Sequence, residues 1–306
     1  MVRLLTGWRN WQSQVSQLTT GMENTLLIAD DNEALRKLIS AGLRDDGYRV
    51  IEADDGPAAV AILKAELVDL LITDVVMPNM DGIELLERAH QLRPNLRSII
   101  ITGHGTARTV IEAFKNRACD IISKPFKLEE LKAAVHTALE TAADCDIEVL
   151  SATPEWIEAR VPCDLEAIPR IVKFLSEIET TLPPETRDAI ASAFREMLTN
   201  AIEHGGKCDP NKRVDVKYVR LKRAVLYSIR DPGEGFDIDE LKHAALTNPA
   251  TEPLQHMRVR QQMGLRPGGY GILMASQVID ELVYNEKHNE LIFVKYLEAP
   301  PAGKPE

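Results

Sequence analysis

From Thr25 onward the chain alternates between short runs that are apolar throughout and longer stretches whose apolar residues return every three to four places. The runs TLLIAD (25–30), YRVIEAD (48–54), VDLLITD (68–74), LRSIIITG (96–103) and CDIISKP (119–125) lack a polar face, the pattern of strands buried on both sides. Between them EALRKLISAGLRDDG, PAAVAILKAE, GIELLERAHQLR, TARTVIEAFKNR and KLEELKAAVHTALETA carry helical spacing. Gly47 falls where a helix ends, and Asp81-Gly82 and Pro125 mark loops. Five strands alternating with five helices predict an α/β doubly wound domain with a five-stranded parallel sheet covered on both faces. Such a sheet binds ligands outside the carboxyl ends of its strands.

The rhythm lapses over TAADCDIEVLSATPE and resumes in a different order. A strand WIEARVP (156–162) precedes helical stretches at 164–179 and 185–204, and RVDVKYVRL and AVLYSIRD then follow as consecutive strands. After a loop comes a helix from about 270, and ELVYNEK and ELIFVKYL read as a closing hairpin. Strands paired in sequence with helices grouped predict an α+β two-layer sandwich. The expected division is a tail at 1–23, a first domain at 24–142, a linker at 143–154, a second domain at 155–299 and a tail at 300–306. The N-terminal stretch, with Trp8 and Trp11, reads as a mobile tail or as sequence ahead of a start at Met22, with a docking segment as the alternative.

Composition then removes whole classes of function. At 306 residues, 44% hydrophobic and 27% charged, the chain has the profile of a globular protein with two cores. No apolar run approaches the roughly 20 residues of a membrane helix, so cytoplasmic residence without membrane contact is the expectation. A net charge of −11 argues against direct nucleic-acid binding. Cys119, Cys145, Cys163 and Cys208 are far apart and read as reduced thiols.

The first domain carries its chemistry at strand ends. Asp30 and Asp31 follow LLIA, Asp74 follows LLIT, Thr102 follows SIII, and Lys124 follows CDIIS. Carboxylates crowded at one sheet edge raise one another's pKa unless a cation neutralises them. Hard oxygen ligands suit magnesium. A carboxylate beside such an ion can attack phosphorus and form an aspartyl phosphate, with the hydroxyl and ammonium binding its oxygens. The segments IADDNEALRKLI, ITDVVMPNMDG, ITGHG and SKPF, in this order, resemble response-regulator receiver domains over residues 25–142. The resemblance implies Asp74 as phosphoacceptor, with Asp30, Asp31, Asp74 and the Val76 carbonyl as magnesium ligands. It also implies Thr102 and Lys124 as the pair that senses the phosphate, and a sensor histidine kinase as phosphodonor. Ile121 stands where that family usually has an aromatic residue, which argues against an aromatic rotamer switch here.

In the second domain FREMLTNAIEHGG (194–206) puts Glu196, Asn200 and His204 along one helical face, opposite Phe194, Met197, Leu198, Ala201 and Ile202. IRDPGEGFD sets Asp231 at a strand end before Gly233 and Gly235, and RPGGYGILMAS sets Gly268, Gly269 and Gly271 at a helix start. Glycines let backbone approach phosphates, and a helix N-terminus favours anions. An aspartate can accept the adenine amine, and an amide oxygen can hold a phosphate-bridging magnesium. The loop 248–267 has the makings of a lid. These pieces resemble the nucleotide-binding boxes of GHKL ATPases (the Bergerat ATP-binding fold), above all the anti-sigma-factor serine kinases. The resemblance implies ATP as cofactor, Asn200 as magnesium ligand, Asp231 as adenine contact and Gly233, Gly235, Gly269 and Gly271 as phosphate and lid hinges. Glu196 matches the family's proposed general base, and His204 is expected to cap or contact the lid.

The leading expectation is therefore a receiver-gated serine/threonine kinase acting on an anti-sigma-factor antagonist, with a sigma factor as sequestered client. A phosphorylation-controlled binding module without transfer is the alternative. A hybrid histidine kinase fragment is a third reading, disfavoured because His136 in AAVHTALET lacks the acidic residue that usually follows a phosphoacceptor His. The helix over KLEELKAAVHTALETAADCD is expected to pack on the receiver sheet through Leu128, Leu131, Val135 and Leu139, with homodimerisation or a signalling contact with the second domain as the alternative.

Overall fold

A computed structural model describes residues 24–103, 106–140, 147–179, 182–235 and 279–297. The chain divides into two compact units, residues 1–104 with 116–143 and residues 105–115 with 144–306.

In the first unit β1 (Thr25–Ala29), β2 (Arg49–Ala53), β3 (Leu70–Asp74), β4 (Arg97–Thr102) and β5 (Asp120–Ser123) form a parallel sheet in the order β2-β1-β3-β4-β5. β1 and β3 are buried at all positions, as their unbroken apolar sequences require. Leu26, Ile28, Leu70 and Ile72 face α1 (Glu33–Asp45) and α5 (Leu128–Glu140), and Leu27 and Leu71 face α2 (Gly56–Ala65) and α3 (Gly82–Leu92). α5 buries Leu131 and Val135 in that core, so its apolar stripe does pack on the sheet. Asn32, Asp55 and Asp81 cap α1, α2 and α3 by accepting backbone N–H bonds, which fixes where each strand-to-helix loop ends. The cis peptide bond Lys124-Pro125 closes the loop after β5.

The helix α4 (Ala107–Lys115) belongs by its packing to the second unit. There Phe114 stacks on Phe174 of α6 (Ile168–Ile178) at 3.7 Å, and the Arg170 guanidinium lies 5.2 Å from the centre of the Phe114 ring. The sheet of this unit has β6 (Glu148–Thr153), β7 (Trp156–Pro162), β8 (Arg213–Arg220), β9 (Ala224–Arg230), β10 (Glu281–Tyr284) and β11 (Glu290–Tyr296). It is antiparallel, in the order β10-β11-β9-β8-β7-β6. Val214, Val216, Tyr218, Val225, Tyr227 and Phe293 are among its buried residues, and α7 (Pro184–Asn200) contributes Phe194, whose ring lies 5.3 Å from Tyr227. Tyr218 donates to the buried carboxylate of Glu179, which also lies 3.6 Å from Arg220.

Two expectations are corrected. The stretch 143–154, read as a linker, contains β6, an edge strand that is exposed or half-buried along its length and carries a bulge between Val149 and Ser151. Lacking a buried face, it has no apolar alternation to betray it. The helix expected to run to 204 ends as α-helix at Asn200, and Ala201–Gly205 forms a wider π turn closed by Gly206 N–H donating to Ala201 O at 2.8 Å. The N-terminal and C-terminal tails, the loop 248–267 and the helix from about 270 lie outside the described residues.

Candidate functional site

The first site is assembled by strand register. Ala29 lies beside Thr73, Asp74 beside Ile101, and Thr102 beside Ser123, so the residues ending β1, β3, β4 and β5 share one edge. Asp30, Asp31 and Asp74 each offer a carboxylate oxygen within 4.8 Å of the others. Asp30 and Asp74 are 1% and 7% exposed, whereas Asp31 is open to solvent. Lys124 reaches both, at 2.7 Å from Asp74 Oδ2 and 3.2 Å from Asp30 Oδ2. Thr102 is buried, and its carbonyl accepts the Lys124 N–H at 2.7 Å. Asn32 N–H donates to Asp30 Oδ1 at 2.8 Å and Arg36 to the Asp30 carbonyl at 2.6 Å, which together hold that acid. Val76 follows β3 with its side chain 72% exposed.

The second site draws on separated segments. Glu196 and Asn200 lie one turn apart on α7 and are half-buried, and His204 is exposed in the π turn. That turn delivers Gly205 against Asp231: a Cβ on Gly205 would overlap the Asp231 carboxyl group, and one on Gly233 would lie 2.7 Å from its Oδ1. Gly233 N–H donates to Asp231 Oδ1 at 2.7 Å, and Asp231 N–H to the Asn289 carbonyl at 2.9 Å. Gly235 has φ +89°, a backbone that favours glycine. The expected site residues Gly268, Gly269 and Gly271 lie outside the described residues.

Comparison with known proteins settles the family. A family model described as "Response regulator receiver domain" matches residues 26–136, and one described as "Histidine kinase-like ATPase domain" matches 161–295. Response regulator receiver protein CpdR of Brucella abortus is 39% identical over 121 residues, 40% of this chain and 100% of that protein. The chain belongs to the response regulators. This response regulator is also similar to sporulation initiation phosphotransferase F of Bacillus subtilis, 34% identical over 37% of this chain and 92% of that protein. Transcriptional regulatory protein GlrR of Escherichia coli is 33% identical over 44% of this chain, which spans 29% of its length. The chain is thus a two-component response regulator that carries an ATPase-like domain after its receiver. Among the described residues, no helix is long and apolar enough to cross a membrane.

The electrostatics of the receiver edge follow from its burial. Desolvation pushes the Asp30 carboxyl above its ordinary 3.8, the Asn32 N–H and Lys124 oppose that, and Asp74 adds to it. Burial alone would lower Lys124, but its hydrogen bond to Asp74 and the two carboxylate charges raise it. Asp74 Oδ1 is buried and has no hydrogen-bond partner among the described residues. A hard cation would supply what this oxygen lacks, and three converging carboxylates are the ligand type magnesium takes. In the second unit burial raises Asp231, against the Gly233 N–H and Lys207.

Two residues at these sites escape a reading of the sequence. Gly82 reads only as loop punctuation, yet a Cβ there would overlap the Asp74 carbonyl oxygen. Its N–H donates to Val75 O at 2.8 Å, so the helix start packs on the backbone of Asp74 and Val75. Gly205 sits in His204-Gly205-Gly206 without a role until the π turn places it on Asp231. The only signal for either is a glycine just before or after a helical pattern.

Proposed function

We propose that phosphorylation of Asp74 controls an ATP-binding output domain of the serine/threonine-kinase type. A sensor histidine kinase is the phosphodonor. An Asp74 carboxylate oxygen attacks the donor's phosphorus, the O–P bond forms as the P–N bond breaks, and the donor nitrogen keeps the electron pair and takes a proton. Lys124 neutralises charge on the acyl phosphate, and the Thr102 hydroxyl moves toward its oxygens. Magnesium held by Asp30, Asp31, Asp74 and the Val76 carbonyl would supply further charge stabilisation.

The observation that carries the ATP reading is Gly205 packed on Asp231, which brings the end of the helix bearing Asn200 to the strand end bearing the acid. In this reading Asp231 would accept the adenine amine and Asn200 would hold a magnesium ion that neutralises phosphate charge. Gly233 and Gly235 would make phosphate and lid hinges together with Gly269 and Gly271, which lie outside the described residues, and His204 would serve as a structural cap or lid contact. Glu196 takes the proton from a serine or threonine hydroxyl as its oxygen attacks the γ-phosphorus and ADP leaves. The substrate is an anti-sigma-factor antagonist, and a sigma factor is the sequestered client.

His136 is exposed on α5 and pairs with Glu140 at 3.1 Å, so a histidine-kinase reading has an accessible imidazole to draw on. Incubating the full chain with γ-labelled ATP and an extract of the source cells separates the readings. Acid-stable label on a second protein supports the kinase. Acid-labile label on the chain itself that persists in Asp74→Asn points to His136, and nucleotide binding without label on a second protein leaves a phosphorylation-controlled binding module.

A further inference from the structure

The turn joining β10 to β11 touches the loop 231–235 at three places. β11 pairs with β9 through Glu290 opposite Arg230, so the turn lies level with the residue that follows β9. The Asn289 carbonyl accepts from Asp231 N–H at 2.9 Å and extends the ladder by one residue. The Asn289 side chain donates from Nδ2 to the Gly233 carbonyl at 3.2 Å. Gly235 presses on the same turn, and a Cβ there would overlap the Lys287 carbonyl oxygen.

Which way the Asn289 amide points is decided by backbone donors. Asn289 N–H and Glu290 N–H donate to Asn285 Oδ1 at 3.1 and 3.2 Å, and N–H groups need an oxygen there. Asn285 Nδ2 is therefore turned to Asn289 Oδ1, at 2.8 Å, which leaves Asn289 Nδ2 for Gly233. A trans peptide holds its C=O and the next N–H on opposite sides. Binding the Gly233 carbonyl to the turn thus aims the Glu234 N–H away from it.

We propose that Asn289, oriented by Asn285, is a positioning residue that sets the peptide plane between Gly233 and Glu234 for the phosphates of a bound nucleotide. The proposal rests on the reading of 231–235 as a nucleotide loop. Adenosine uses Asp231, whose backbone bond to Asn289 survives side-chain changes; the phosphates use the plane that the Asn289 amide holds.

The test measures Mg-ATP and adenosine affinity of the full chain by competition with a fluorescent ATP analogue. Asn289→Ala should weaken Mg-ATP about tenfold, the loss of one net hydrogen bond and the order it imposes, and adenosine less than about threefold. Asn285→Asp keeps an oxygen for both backbone donors but presents an acceptor to Asn289, turning its amide so that oxygen faces the Gly233 carbonyl. It should give the same selective loss with an unchanged melting temperature, and it carries the test should Asn289→Ala fail to fold. Wild-type Mg-ATP affinity in Asn285→Asp, or equal losses for adenosine and ATP in both variants, overturns the proposal. A wild-type chain that binds neither ligand instead overturns the nucleotide reading beneath it.

Discussion

In the first unit, residues ending successive strands of a parallel sheet meet at one edge, because parallel register carries every strand end to the same side. Asp30, Asp74, Thr102 and Lys124 each follow an apolar run, so a site spread over nearly a hundred residues is written as four short segments. In the second unit the strands are antiparallel, and a strand end meets the start of its neighbour. The loop after β9 is held by the turn before β11 and touched by a π turn after α7. A site built that way joins segments whose sequences share no pattern. The parallel edge depends on side chains at predictable positions, and the antiparallel one on backbone approach and turn hydrogen bonds.

The largest effect separates the two units outright. Asp74→Asn should abolish stable labelling by a small-molecule phosphodonor such as acetyl phosphate while leaving Mg-ATP affinity of the second unit unchanged. Loss of ATP binding in that variant would break the division. Next come Gly205 and Gly82, two of the glycines that admit no side chain. Gly205→Ala should lower Mg-ATP affinity at least ~10-fold by displacing Asp231, with Asp74 labelling intact, and Gly82→Ala should do the reverse at a cost of about 1–3 kcal/mol of first-unit stability. Affinity and labelling assays on both variants make a double dissociation, and a shared loss would contradict it.

Tyr218→Phe should destabilise the second unit by about 1–3 kcal/mol in denaturant titration, because it leaves the buried Glu179 carboxylate short of a donor. The smallest effect is one of pH. Asp30 has a folded-state pKa above its ordinary 3.8, so its stabilising contribution is complete below that value and is lost as pH rises through the raised one. Ionised Asp30 therefore costs stability at neutral pH, and magnesium should return it. The magnesium-induced rise in melting temperature should grow from pH 4 to pH 7 and vanish in Asp30→Asn; a pH-independent rise would place the ion elsewhere.

This contrast also explains what could be read from the chain alone. The receiver sheet, its helices and the Asp30, Asp31 and Asp74 cluster were legible because unbroken apolar runs locate strands and parallel register does the rest. β6 was not, since an edge strand with no buried face leaves no alternation. The π turn was hidden because AIEHG has ordinary helical spacing, and its wider winding appears only where Gly205 must meet Asp231. The packing of α4 in the second unit through Phe114 was equally hidden, because an amphipathic helix does not say which surface it covers. Asn289 reads as a turn residue in YNEKHNE, and nothing in that stretch names Gly233 as its acceptor.

The central claim is that the phosphorylation state of Asp74 is felt at the ATP site of the same chain. Its most direct test is a titration of Mg-ATP against the full chain with and without beryllofluoride, with Asp74→Asn as control. We expect the affinity or the rate of γ-phosphate transfer to change by at least about fivefold in the wild type, the lower end of allosteric couplings, and not in the control. Identical binding and transfer in both states of the wild-type chain would contradict the account.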